Sequence, residues 1–199
     1  MKILFIDLET TGTEPGKHGV VQTAGIIEID GKVVEEFEFK SRPFPEEVCE
    51  LQALQTIGKT KEEIASYPEP HLAYQGLIRI FDQYIDRHNK ADKFYMVGQN
   101  PSFDYNFLTK FFQKNGNQFL YAYIQYYLID LIAAAALFQS AGKIKVPNMR
   151  LETMADYFGI KLKAHDAAED VRATRELYHA YVNLIRQINM PEKLKASAQ

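Results

Sequence analysis

The stretch ILFIDLETTG occupies residues 3–12 and indicates where the sheet of this protein begins. Its apolar first half, residues 3–8, predicts a short buried strand. Asp7 and Glu9 stand two positions apart at the end of that strand, and such positions share one face. Two carboxylates on one face repel each other unless they are protonated or bridged by a cation, and Mg²⁺ or Mn²⁺ suits an all-oxygen site. The alternative is an acidic strand end that meets solvent.

The elements that follow the first strand predict an α/β fold. Residues 20–29 and 33–39 form two further strands, and Asp30-Gly31 between them is a strong hairpin signal. Apolar periodicity then predicts helix over residues 46–88 and a fourth strand at 94–97. This order predicts a central mixed sheet of five strands flanked by helices. The remaining predictions are helices over 102–112, 130–139, 151–158 and 166–188, and a fifth strand within 121–127.

Composition and length limit the function classes. The chain has 199 residues, of which 46% are hydrophobic and 25% charged, so we expect one domain over residues 1–190 and a short polar tail over 191–199. The single cysteine, Cys49, excludes an intramolecular disulfide. A formal net charge of −3 does not fit a protein that coats long duplex DNA, because such proteins carry a basic stripe.

The distribution of apolar residues predicts no membrane partner. No run approaches the roughly 18 residues that a membrane span needs. Asp7 comes too early in the chain for a signal peptide. We therefore expect a cytoplasmic protein.

A second group of polar residues lies in the segment GQNPSFD, residues 98–104. It follows the fourth predicted strand and opens a helix. Ser102 is the expected N-cap, and Asp104 falls in the first turn. An acid in that position is stabilised by the helix dipole, so a purely structural role is the alternative to a ligand role.

The third group is the segment HDAAED, residues 165–170. Asp166 is a good N-cap, and Glu169 three residues later completes a pattern like a capping box. In that register His165 precedes the cap and Asp170 occupies the fourth helical position, and these two positions meet across the first turn. The spacing thus brings an imidazole and a carboxylate together, although a surface histidine beside a dipole-stabilising acid would give the same pattern.

Together the three segments resemble the DEDDh-type 3′–5′ exonucleases of the DnaQ-like family, which have an RNase H-like fold. The family's first motif, Asp-x-Glu-Thr-Thr-Gly, matches residues 7–12, its Phe-Asp motif ends at Asp104, and its His-x4-Asp motif matches His165 and Asp170. A sister group has tyrosine four residues before the last acid. Asp166 occupies that position here, so the resemblance is to the histidine branch.

The resemblance implies a mechanism and a set of site residues. Two divalent ions, Mg²⁺ or Mn²⁺, would be held by four acids and would clamp the attacking and leaving oxygens of a phosphodiester bond. His165 would be the general base that deprotonates water, and its ordinary pKa of about 6.5 suits that role. The products would be nucleoside 5′-monophosphates. The implied metal ligands are Asp7, Glu9, Asp104 and Asp170, and the implied substrate contacts are Thr10, Thr11, Gly12, Asn100, Phe103 and His165.

Several alternatives remain open from the sequence. The substrate is expected to be the 3′ end of single-stranded DNA, in proofreading or end trimming, but relatives that trim RNA or degrade short oligoribonucleotides share the same acids. A third hypothesis is an inactive scaffold that binds a polymerase, which a substituted acid would favour, and no acid is substituted here. A DNA polymerase is a candidate partner, and the chain is expected to be a monomer or a homodimer.

Overall fold

The centre of the fold is a five-stranded mixed sheet, seen in a computed structural model that describes residues 1–162 and 166–187. Its strands are β1 (Lys2–Thr10), β2 (Val20–Ile29), β3 (Lys32–Lys40), β4 (Tyr95–Gly98) and β5 (Ile129–Asp130). The spatial order is β3-β2-β1-β4-β5. β2 is antiparallel to both β1 and β3, whereas β4 is parallel to β1 and β5. The predicted mixed five-stranded sheet flanked by helices is confirmed.

The β2–β3 hairpin forms where the sequence predicts it. Asp30 and Gly31 have φ angles of 50° and 82°, and a two-residue turn with both φ values positive matches the right-handed twist of the strands it joins. Ile29 pairs with Lys32 directly across the turn. The turn therefore sets the register in which β2 and β3 begin to pair.

Seven helices are present in the described part of the chain. The predicted helical region 46–88 is divided into three of them, because Gly58 takes a φ of 64° after the first and Pro70 begins the third. None of the described helices combines the length and the apolar character that a membrane crossing requires. The helices are α1 (Leu51–Thr56), α2 (Lys61–Ala65), α3 (Pro70–Tyr84), α4 (Pro101–Lys114), α5 (Leu131–Ser140), α6 (Leu151–Phe158) and α7 (Ala167–Arg186).

The fifth strand is shorter and later than predicted. The segment 121–127 begins in a 3-10 turn, Leu120–Ala122, and pairs with the sheet only through a single bridge between Phe94 and Ile124. The aromatic residue at its centre packs into the core and does not form part of a strand. Tyr123 is buried against Phe81, with a ring-centroid distance of 5.6 Å, rather than arranged along a strand.

Helices pack on both faces of the sheet. Leu4, Ile6 and Leu8 of β1 belong to the apolar cluster formed with α3 and α4. Ile3 and Phe5 belong to the cluster formed with α5, α6 and α7. Because side chains alternate along a strand, the residues at positions 7 and 9 continue the second face. The carboxyl end of β1 and the start of α7 are thus brought together.

Candidate active site

Three of the four predicted acids converge at the carboxyl end of β1. Asp7, Glu9 and Asp170 each place a carboxylate oxygen within 4.8 Å of one another. Asp7 and Glu9 come from one face of the strand, and Asp170 comes from the first turn of α7. A strand end and a helix start thus build one cluster from residues more than 160 positions apart.

The fourth acid, Asp104, reaches the same place from the first turn of α4. It is only 5% exposed, and its Oδ1 accepts a hydrogen bond of 3.1 Å from the backbone N–H of Leu8. Leu8 lies between Asp7 and Glu9, so this bond fixes the Asp104 carboxylate beside the acidic strand end. A dipole-stabilising acid at an exposed helix start would need no such contact.

The electrostatics of the cluster favour a bound cation. Burial raises the pKa of Asp7 well above its usual value of 3.8, and the charges of Asp104, Glu9 and Asp170 raise it further. Burial also raises the pKa of Asp104 to about 8, although the Leu8 amide opposes that rise. Clustered carboxylates held in this way ionise together only when a cation neutralises them. The all-oxygen donor set fits hard divalent ions such as Mg²⁺ or Mn²⁺.

The start of α7 has the predicted capping geometry. The Asp166 carboxylate accepts hydrogen bonds from the backbone N–H groups of Ala168 at 3.1 Å and Glu169 at 3.3 Å. This cap fixes the first turn and therefore the position of Asp170. His165 lies outside the described residues, and its predicted meeting with Asp170 stays a prediction.

The Thr10–Thr11–Gly12 segment is held tightly by its own loop. The Thr10 hydroxyl donates to the Gly12 carbonyl at 2.7 Å. The Thr11 hydroxyl donates to the Val48 carbonyl at 2.7 Å and accepts from the Gly19 N–H at 2.8 Å, and Thr11 is fully buried. Thr11 therefore shapes the loop through contacts within the protein, and its hydroxyl is already used there.

His18 supports this loop, and the sequence analysis did not single it out. A Cβ at Gly12 would lie 2.5 Å from the His18 ring, so only glycine fits against it. The buried ring accepts the Glu14 N–H at Nδ1, at 2.9 Å, and its Nε2 lies 3.0 Å from the Glu50 carboxylate. Because Nδ1 already accepts a hydrogen bond, we interpret Glu14, His18 and Glu50 as a scaffold that holds the loop and not as a second metal site.

The second motif differs from the prediction at its cap. Asn100, not Ser102, is the N-cap of α4, with φ 56° and ψ 54°. Its N–H donates to the Asp130 carboxylate at 3.2 Å, and its side chain is exposed and makes no capping bond. Phe103 is half-buried against Phe107, with a ring-centroid distance of 4.8 Å, and it keeps an accessible surface.

A buried ion group ties α7 to β2 and also escaped the sequence analysis. Glu28 is 2% exposed, and its Oε2 lies 2.8 Å from both Arg175 Nε and His179 Nε2. Nothing in a single sequence distinguishes this glutamate from a solvent-facing one. The contact fixes the helix that carries Asp170.

Comparison with known proteins gives a family and a fold. A family model described as "Exonuclease", of the RNase T type, matches residues 4–178. The DNA polymerase III PolC-type protein of Lacticaseibacillus paracasei is 27% identical over 185 residues, which cover 89% of this chain and 11% of that protein. The PolC-type protein of Thermotoga petrophila is 22% identical over 190 residues, with coverage of 94% and 12%.

Solved structures of exonuclease I share the fold. Escherichia coli exonuclease I in complex with a dA16 oligonucleotide aligns with a TM-score of 0.74 and 24% identity, covering 94% of this chain and 41% of that chain. The zinc-bound form of the same enzyme with single-stranded DNA gives 0.75 and 25%, with the same coverage. The chain thus spans about a tenth of the polymerase relatives and about two fifths of exonuclease I.

Proposed function

The chain belongs to the RNase T exonuclease family, and on that premise we propose that it is an active, metal-dependent 3′–5′ exonuclease for single-stranded DNA. The observation that carries the proposal is the acidic cluster. Asp7, Glu9 and Asp170 lie within 4.8 Å of one another, and Asp104 is bonded to the strand between the first two. No acid of the DEDDh pattern is replaced, which counts against an inactive scaffold.

The proposed cofactor is a pair of Mg²⁺ or Mn²⁺ ions held by Asp7, Glu9, Asp104 and Asp170. When bound, divalent ions supply charge stabilisation for the oxygens of the scissile phosphodiester. The protein's part is to preorganise the ligands. The Leu8 amide fixes Asp104, the Asp166 cap fixes the turn that carries Asp170, and the strand fixes the other two.

The remaining site residues receive roles by their position and chemistry. His165 is proposed as the general base that takes a proton from the attacking water. The Thr10–Gly12 loop, which packs against His18, is proposed to bind the terminal nucleotide beside the acids. The exposed amide of Asn100 and the accessible ring of Phe103 are proposed to contact the sugar-phosphate backbone and a base.

One observation favours DNA, and a second favours a single strand over a long duplex. The exonuclease I structures that share this fold hold dA16 and other single-stranded DNA. The net charge of −3 suits a short footprint at a strand end better than a long duplex.

The test is a side-by-side digestion of 5′-labelled single-stranded DNA, its RNA counterpart and a duplex with a mismatched 3′ end. We expect stepwise shortening of the DNA with Mg²⁺ or Mn²⁺ and release of nucleoside 5′-monophosphates. Faster digestion of the RNA would replace DNA by RNA as the substrate. Absence of digestion of all three strands would overturn the proposal.

A second candidate role is proofreading beside a polymerase. It is favoured by one observation: both curated relatives are DNA polymerases that contain the matching segment as about a tenth of their length. In that role the mismatched 3′ end would be removed faster than a matched end, and a replicative polymerase would co-elute with the chain. Equal rates on the two ends would argue for end trimming.

A further inference from the structure

A cleft of about 690 Å³ lies at the end of the sheet opposite the acids. Part of its lining comes from the segment before β4, and part from the segment after α4, which runs back from the acidic end. Because β4 is parallel to β1, the start of β4 lies at the amino end of β1. Lys2 and Thr10, the two ends of β1, are eight residue steps apart, or about 26 Å at roughly 3.3 Å per residue.

The cleft is cationic although the chain as a whole is acidic. Arg87, His88, Lys90 and Lys93 line it, and no carboxylate residue is among its lining residues. Within the described part of the chain, Lys90 has no ion-pair partner, and it is exposed. Within the described residues no carboxylate pairs with Lys90 or Lys93, so these two lysines are the cations that the cleft offers to an anion.

The nearby acids are already engaged by groups of the protein. Asp82 accepts the Tyr123 hydroxyl at 2.8 Å, and its carboxylate lies 3.9 Å from Arg87 Nε, so Arg87 is already paired with it. Asp92 pairs with Lys2 at 2.5 Å and accepts the Asp86 N–H at 2.9 Å. These contacts hold both carboxylates on protein partners at the margin of the cleft.

An aromatic platform stands beside these cations. Phe119 and Tyr121 are 57% and 56% exposed, and their rings meet edge to face at a centroid distance of 5.9 Å. Lys93 Nζ lies 5.9 Å from the centre of the Tyr121 ring and donates to the Tyr121 carbonyl at 2.6 Å. Asn117 accepts the Phe119 N–H at 2.8 Å, which holds the backbone that carries the Phe119 ring.

We propose that this cleft is a second binding site for single-stranded nucleic acid, which holds the strand several nucleotides upstream of the 3′ end. Exposed aromatic rings stack on bases and cations neutralise phosphates, and this pairing is how proteins bind single strands without sequence preference. An acidic peptide would pair with the cations but would give no role to the exposed aromatic rings. A stacked strand advances about 3.4 Å per nucleotide, so roughly seven nucleotides connect the two ends.

The proposal rests on the proposed action on single strands and deepens it by predicting a dependence on strand length. Long strands engage both ends of the molecule, whereas a trinucleotide at the acids is too short to reach the cleft. The cleft therefore contributes to affinity for long strands and to successive cleavage of one strand, and leaves the hydrolysis of a trinucleotide unchanged.

The test compares Lys90→Glu/Phe119→Ala with a matched control, Lys32→Glu. Lys32 is the exposed first residue of β3, next to the β2–β3 turn, at the same end of the sheet but outside the cleft. Affinity for labelled dT20 is measured by fluorescence anisotropy in EDTA, where no hydrolysis occurs, and circular dichroism checks the fold. We expect the double variant to bind about tenfold or more weakly and the control to bind within about twofold of the wild type.

Three results of the binding measurements would overturn the proposal. They are unchanged dT20 binding by the double variant, an equal loss in Lys32→Glu, and displacement of dT20 by an oligoglutamate peptide of equal charge. Loss of trinucleotide hydrolysis in a folded double variant would also contradict it, because the cleft would then act on the chemistry itself. If the protein binds dT20 through the cleft but hydrolyses no strand, only the proposed function is refuted.

Discussion

The two ends of the sheet carry opposite charge and opposite burial. At the carboxyl end of β1, four acids are gathered where burial raises the pKa of Asp7 and Asp104. At the amino end, lysines and exposed rings surround an open cleft. Ionisation of all the acids at the acidic end is unfavourable until a cation binds there. The cleft at the basic end needs no such ion to bind a phosphate chain. A protein with a net charge of −3 can therefore bind a polyanion at two local sites.

The largest expected effect separates catalysis from binding. Asp7→Asn removes one charge and one oxygen ligand from the acidic end, so the rate of hydrolysis should fall by at least about 10³-fold. Binding of dT20 at the basic end should stay within about twofold. Asp156→Asn, the same change at an exposed position on α6, is the control and should keep full activity. Equal activity in both variants would remove Asp7 from the site.

The shape of the acidic end depends on Gly12 and His18. Gly12→Ala should lower activity by about 10- to 100-fold, because its Cβ meets the His18 ring at 2.5 Å and displaces the loop. Gly12→Ala/His18→Ala should be more active than additivity of the two single variants predicts, with a coupling energy of about 1 kcal/mol or more. Steady-state kinetics of the four proteins measure this coupling. Strict additivity would mean that the ring does not position the loop.

The raised pKa values predict how pH affects the metal-free protein. The folded chain keeps a proton on Asp104 up to about pH 8, whereas the unfolded chain releases it near pH 4. The free energy of unfolding in EDTA should therefore fall as pH rises through that window. Asp104→Asn keeps an oxygen for the Leu8 amide, and at pH 8 it should be more stable than the wild type by about 1–3 kcal/mol.

Urea unfolding at pH 5 and pH 8 measures that difference. Adding Mn²⁺ should stabilise the wild type more than Asp104→Asn, because a ligand stabilises only the state that binds it. The same pH dependence in the two proteins would show that the buried Asp104 carboxyl is not the source of that dependence.

The smallest effect concerns the anchoring of α7, the helix that carries Asp170. Glu28→Ala removes the carboxylate that holds Arg175 and His179 of α7, and it should cost about 1–2 kcal/mol of stability. The cost stays modest because both partners are partly exposed and regain water. Glu36→Ala, which removes an exposed contact with Arg172 at 3.5 Å, should change stability by less than about 0.5 kcal/mol. Urea unfolding compares them, and equal losses would contradict the anchoring role of Glu28.

The acids and the first hairpin could be predicted because their signals are local. Asp7 and Glu9 share a strand face, Asp30-Gly31 fixes a tight turn, and Asp166 caps a helix, and each rule needs only neighbouring residues. The family resemblance joined these signals into one site. The family resemblance is confirmed by the family match over residues 4–178, whereas the roles of the individual site residues stay predictions.

The features that escaped prediction depend on contacts between distant residues. His18 and Glu28 acquire their roles from partners that the fold brings to them, and a single sequence carries no sign of this. The fifth strand was misplaced for a related reason. The aromatic residue Tyr123 suggests a strand, but its ring fills the core beside Phe81 and its hydroxyl reaches Asp82.

The most direct test of the account is a calorimetric titration of the metal-free protein with Mn²⁺ at pH 7.5, in the wild type and in Asp7→Asn. The account predicts binding of two ions to the wild type and loss of at least one of them in the variant, with Asp156→Asn behaving like the wild type. Failure of the wild type to bind Mn²⁺, or identical binding curves for wild type and Asp7→Asn, would contradict the claim that the acidic end is a metal site.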